Sequence, residues 1–118
     1  ENAVFIAGGT GITPYLSLFT DPSYSAYSRP ILYAGYRAET FNLYSDAIEL
    51  ANKINPDFVV HNIYQDKNGV LNIERIFAEN GADASYFISG PPVMIKLFKN
   101  CLIEKGVKTS NILTDDWE

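Results

Sequence analysis

Cysteine, histidine, methionine and tryptophan each occur once in these 118 residues, and charge is sparse. The lone cysteine, Cys101, forms no internal disulfide and no cysteine-based metal cluster, which fits a reducing compartment. The lone histidine, His61, stands mid-strand with no second ligand beside it, so it reads as structural and no metal site is expected. Lys and Arg number 9 against 14 Asp and Glu, for a net charge of −5 without a basic cluster; nucleic acid is therefore not the expected partner. No apolar run approaches the ~20 residues needed to cross a bilayer. No basic segment leads into a short apolar one, so no signal peptide is read and a cytoplasmic location is expected. Internal repeats and low-complexity tracts are absent too.

What is present is the composition of one folded domain, with 47% hydrophobic and 19% charged residues. Apolar runs of strand length alternate with helix-period stretches. "AVFIA" (3–7), "ILYAGY" (31–36), "DFVVHNIY" (57–64), "SYFIS" (85–89) and "SNILT" (110–114) read as strands. Helices are expected from Pro14 to about Phe19, over 45–54, around 72–80 and over 92–106, with Gly106 closing the last. In the second helix Ala47, Leu50 and Ile54, with Ile48 and Ala51, recur at spacings of three and four. "TDPSYSAYSRP" (20–30) and "QDKNG" (65–69) read as a loop and a turn. Strand–helix alternation with apolar strands indicates a parallel sheet covered on both faces, which binds ligands at the carboxyl ends of its strands.

Two unusual turns lie at such ends. In "AVFIAGGTGITPYLSLF" a strand passes through Gly8, Gly9 and Gly11 into a helix whose first turn holds Thr13 and Pro14. Thr13 can cap that helix through its hydroxyl, and the free N–H groups of its first turn suit a phosphate lying against bare glycine backbone. A tight turn with nothing bound explains a lone glycine pair equally well, and no Lys-Ser/Thr follows to make a P-loop. The second turn, "YFISGPPVMIKLF", joins strand to helix through Ser89, Gly90, Pro91 and Pro92, where the prolines stiffen the chain into a fixed wall.

Together "GGTGITP" and "SGPPVM", about 80 residues apart, resemble the pyridine-nucleotide domain of the ferredoxin–NADP reductase superfamily. The resemblance runs from Ala3 to Trp117 and includes "LYAGYRAETFNLYSDAIELA" and the ending "GVKTSNILTDDW". It implies an α/β fold, a doubly wound five-stranded parallel sheet of order 3-2-1-4-5, with Ser89 and Thr10 close across one cleft. It implies that Gly9, Thr10, Gly11, Thr13 and Pro14 hold the pyrophosphate and nicotinamide end of NADH or NADPH. Gly90, Pro91 and Pro92 would wall the nicotinamide ribose, with Met94 shaping the pocket. Ser89 would stand beside the nicotinamide C4, where relatives often carry cysteine, and Trp117 would lie over the flavin–nicotinamide contact; these two are the catalytic candidates. At the adenosine end, Gln65, Asp66 and Arg37 would meet the cofactor. Asp66 would repel a 2′-phosphate and accept from a free 2′-hydroxyl, whereas Lys67 pulls the other way; the balance favours NADH.

Bland readings accompany these. Lys67 suits a solvated turn, and Trp117 suits C-terminal packing. Tyr24, Tyr27 and the seven phenylalanines suit core and loop, and Cys101, at core spacing with Leu97 and Phe98, suits inert packing.

The superfamily passes hydride from the nicotinamide to FAD or FMN on an N-terminal barrel, and no flavin motif of that barrel occurs in this chain. Residues 1–118 are thus expected to be the nucleotide half of a larger NAD(P)H-dependent flavin oxidoreductase, inactive alone, with a further electron acceptor. Two alternatives stay open: a non-catalytic dinucleotide-sensing module, and an electron-transfer subunit of the dihydroorotate dehydrogenase type, which would need a cysteine cluster for iron–sulfur ligation.

Overall fold

The structure is a computed structural model that describes residues 3–26 and 29–116. Five strands form one parallel sheet: β1 (Ala3–Gly8), β2 (Ile31–Tyr36), β3 (Val59–Tyr64), β4 (Ser85–Gly90) and β5 (Ile112–Asp116), in the order β3-β2-β1-β4-β5. The expected topology is the observed one. The helices are α1 (Thr13–Phe19), α2 (Ser45–Ile54), α3 (Gln65–Asn68), α4 (Ile73–Asn80) and α5 (Pro92–Glu104). A 3-10 turn, Gly9–Ile12, joins β1 to α1.

Strand alternation divides the core into two layers. Val4, Ile6, Tyr33, Tyr86 and Ile88 pack with Ile73, Ile76, Ile95, Phe98 and Leu102 of α4 and α5. Phe5, Ala7, Leu32 and Ala34 pack on the other face with Tyr15, Phe19 and Ala51 of α1 and α2, and with Tyr24 and Phe58. All six residues of β1 are buried, as the central strand of a sheet covered on both faces must be.

Several local expectations change. Thr13 does not cap α1: it is the first helical residue, and Ile12, which has no side-chain acceptor, occupies the cap position. The Thr13 hydroxyl lies instead 3.5 Å from the Tyr44 hydroxyl. "QDKN" is not an open turn but a single turn of helix, in which Asn68 Oδ1 accepts the Tyr64 N–H at 3.1 Å. Leu50 and Leu97 do not enter the core; both are exposed. His61 is exposed on the edge strand and stacks on Tyr33, with ring centroids 4.9 Å apart at 18°. The end of α5 keeps its expected form: the Val107 N–H donates to the Leu102 carbonyl and the Gly106 N–H to that of Ile103.

Burial also raises tyrosines. Tyr36 is pushed up to about 12 by desolvation first and by neighbouring Tyr64 and Tyr44 second, and its buried hydroxyl has no hydrogen-bond partner among the described residues. A raised phenol makes a contribution that is whole below the unfolded pKa near 10 and is lost as pH climbs toward 12. Tyr36→Phe is therefore expected to be neutral or stabilising at pH 7, by up to ~1 kcal/mol. Its advantage over the wild type should grow by about 1 kcal/mol by pH 11. Urea titrations at pH 7, 9 and 11 check this; a difference that does not widen between pH 9 and 11 removes the assignment.

Candidate nucleotide-binding cleft

The carboxyl ends of β1, β2 and β4 carry glycine in one row on the α4/α5 face. Gly8 pairs with Gly35, and Gly35 with Ile63 of β3. A Cβ on Gly90 would lie 3.4 Å from the backbone N and O of Gly8, in ordinary contact with β1. The row makes room first for the protein's own side chains. Cβ atoms on Gly8 and Gly90 would stand 2.7 and 2.8 Å from the Met94 thioether, and one on Gly35 would stand 2.8 Å from Leu71. Gly9 differs. Its φ is +61°, a left-handed conformation that glycine adopts without strain, and nothing lies within 4 Å of the Cβ position. Open space begins at Gly9.

That space is a cleft of about 530 Å³, within the ordinary range for a small-molecule site. Gly8, Gly9 and Gly35 contribute to it at the strand tips. Arg37, Gln65, Val70 and Leu71 come from the β2 and β3 side, and Pro91, Val93, Met94, Leu97 and Phe98 from the β4–α5 side. Val70, Val93 and Leu97 are exposed, so the rim is apolar. Arg37 has no ionic partner among the described residues. The Asp66 N–H donates to the Arg37 carbonyl at 3.2 Å, which ties the tips of β2 and β3 together.

The structure thus brings Gly9, Arg37, Gln65, Pro91 and Met94 to one cleft. Thr10 and Gly11 lie in the 3-10 turn at the same end of the sheet, which packs against β4. Thr13 and Pro14 are exposed just beyond it. Gly90 underlies Met94, and Pro92 begins α5. Asp66 is exposed and does not line the cleft. Ser89 sits opposite Ala7 at the carboxyl end of β4, fully buried, with its hydroxyl unpartnered. By alternation its side chain shares the α1 face with Phe87, which stacks on Phe5, whereas the cleft opens on the α5 face. Tyr15 is raised by burial first, with Asp115, the β5 partner of Ser89, adding to the effect. Trp117 and Tyr27 lie outside the described residues. The contributions of Leu71, Val93 and Leu97 were not foreseen. The signal for them was there, because strand parity puts Gly8, Gly35 and Gly90 on the α5 face.

The residues present fit a dinucleotide: a positive-φ glycine opening on free space, one uncompensated guanidinium and two apolar walls. Residues 5–100 match the oxidoreductase NAD-binding domain family. The chain belongs to that family. This NAD-binding domain is 29% identical to a subunit of the Na(+)-translocating NADH-quinone reductase of Haemophilus influenzae, over 97% of the chain and 32% of the relative. The corresponding protein of Klebsiella pneumoniae is 28% identical over the same shares. The chain therefore spans about a third of the length of the curated relatives it matches. Among solved structures it is similar to a flavohemoglobin from Malassezia yamatoensis, with a TM-score of 0.77 and 22% identity over 100% of this chain and 32% of that one. A ferredoxin-NADP+ reductase from Plasmodium falciparum gives 0.76 and 23% over 99% and 52%. These two likenesses speak for the fold. Among the described residues, no helix is long and apolar enough to cross a membrane.

Proposed function

We propose that this NAD-binding domain holds NADH across the carboxyl ends of β1, β2 and β4 and orients it toward a flavin carried on another domain of the same enzyme. The bound nicotinamide supplies a hydride, and the flavin, FAD or FMN, accepts it and passes electrons onward. The cleft carries this reading, because it joins the open glycine turn at β1 to Arg37 and Gln65 at the β2 and β3 tips. The 3-10 turn from Gly9 through Thr10 and Gly11, with Thr13 after it, would offer backbone N–H groups to the pyrophosphate, and Pro14, which has no N–H, would only fix the course of the chain there. Gly90, Pro91, Pro92 and Met94 would form the wall at the nicotinamide end. Ser89, whose buried hydroxyl is unpartnered among the described residues, would place a polar group behind that wall, on the α1 face of the sheet. Trp117 would cover the contact with the flavin. The NADH-quinone reductase relatives favour NADH as the donor. A dinucleotide ligand and a single thiol together fit a cytoplasmic site of action.

Calorimetric titration of the full chain with NAD+ is the test. Saturable one-to-one binding is expected, competed by ADP-ribose, and Arg37→Ala should weaken it about fivefold through loss of a charge-assisted contact. The same preparation should be colourless and should not oxidise NADH with an artificial acceptor. No saturable binding up to millimolar NAD+ would overturn the reading, and tight retention of flavin by residues 1–118 would move the flavin site into this domain.

A further inference from the structure

At the β2 and β3 tips one of the two cations is already paired. Arg37 lines the cleft, and two residues beyond it Glu39 reaches across to α3, where its Oε1 stands 3.3 Å from Lys67 Nζ. Asp66, next to Lys67, contributes a second exposed carboxylate close by, since its N–H is bonded to the Arg37 carbonyl. The β2 and β3 tips therefore carry two cations and two carboxylates, and of the cations Lys67 is the one engaged in an ion pair. Free of Glu39, Lys67 would be a long, flexible ammonium able to swing toward a phosphate. Held by Glu39, it is a neutral pair.

We infer that Glu39 is a specificity-determining residue: by engaging Lys67 it denies a 2′-phosphate the cation that would otherwise receive it, and so tilts the cleft toward NAD over NADP. This rests on the reading of the cleft as a dinucleotide site. Asp66 is then an accessory, adding negative potential from outside the cleft, and the selecting contact is one between β2 and β3 loops, 28 residues apart in sequence. A phosphate monoester carries about two charges at neutral pH, so a change of one unit in the nearby charge matters far more for NADP+ than for NAD+.

The quantity to measure is the ratio of dissociation constants, NADP+ over NAD+, by calorimetric titration of the full chain. Glu39→Gln should lower that ratio about three- to tenfold, because it frees Lys67 and leaves one net positive charge. Lys67→Gln should raise it, and the double variant Glu39→Gln/Lys67→Gln should return it to the wild-type value, since both charges are gone. The gain in Glu39→Gln should vanish near 1 M salt, where the screening length is about 3 Å. Equal ratios in all four proteins overturn the inference, as does a gain that persists without Lys67. If the wild type binds both nucleotides and the ratios do not move, only this inference falls. If it binds neither, the reading of the cleft falls and takes the inference with it. Both side chains are well exposed, at 60% for Lys67 and 70% for Glu39, so the variants are expected to fold normally.

Discussion

Gly9→Val is expected to weaken NAD+ binding by at least about tenfold, through both strain and occlusion. The backbone at Gly9 has φ +61°, a region that a β-branched residue enters only at a cost of ~1–3 kcal/mol. Nothing stands within 4 Å of the Cβ position and Gly9 lines the cleft, so the added carbons are expected to occupy space that the nucleotide would use. Strain alone does not discriminate, and a control is at hand. Gly81 ends α4 with φ +83° and likewise has nothing within 4 Å, but it does not line the cleft. Gly81→Val should lose similar stability in urea and keep its affinity for NAD+. Should Gly9→Val titrate like the wild type, the open turn is not where the nucleotide lies.

The comparison of these two glycines shows what could and could not be read from the chain itself. The alternation of apolar strands with helical stretches was enough for the sheet, whereas its order came from the resemblance that "GGTGITP" and "SGPPVM" bear to a known family and not from where either motif lies. The purpose of each glycine was not legible. Gly8, Gly35 and Gly90 look like places for a ligand, yet Met94 and Leu71 occupy the space above them. That contact depends on how α5 and the segment before α4 settle on the sheet, which no local pattern specifies. Helical periodicity gives a stripe but not its width, so Leu50 and Leu97 fell outside it and became surface. Thr13 has the chemistry of a cap, but a 3-10 turn before it moves the helix start by one residue. The pairing of Lys67 with Glu39 joins segments that only the β2–β3 neighbourhood brings together. Ser89 was different. Its parity with Phe87 was visible in "SYFISG", and that parity already puts it on the opposite face of the sheet from the α5 cleft.

Phe19→Ala is expected to cost about 3–5 kcal/mol, a large share of the 5–15 kcal/mol that holds an ordinary domain folded. Phe19 is fully buried at the end of α1. Its ring centroid lies 5.0 Å from Phe5, 5.1 Å from Phe58 and 5.2 Å from Tyr24, with Phe5 edge-on at 88°. Truncation removes the large apolar area and leaves a cavity between rings that belong to a strand, an α-helix, a 3-10 turn and a loop, which cannot all close in together. The effect reaches the cleft because Phe19 is one of the two buried side chains that seat α1 against Phe5, Tyr15 being the other. With seven residues and no side-chain cap α1 is too short to persist on its own, so tertiary packing sets its position. The Gly9–Ile12 turn is continuous with it and shares that position. Urea unfolding should show a lower midpoint with an unchanged slope. NAD+ titration of the folded fraction at low temperature should show weaker binding than in Leu50→Ala, an exposed change on α2 expected to stay within about 0.5 kcal/mol of the wild type. A Phe19→Ala protein as stable as Leu50→Ala would mean that the aromatic cluster does not anchor α1. Normal stability loss with unaltered NAD+ binding would mean that the turn keeps its shape without the helix, and that the glycines of "GGTGITP" are held by β1 and β4 alone.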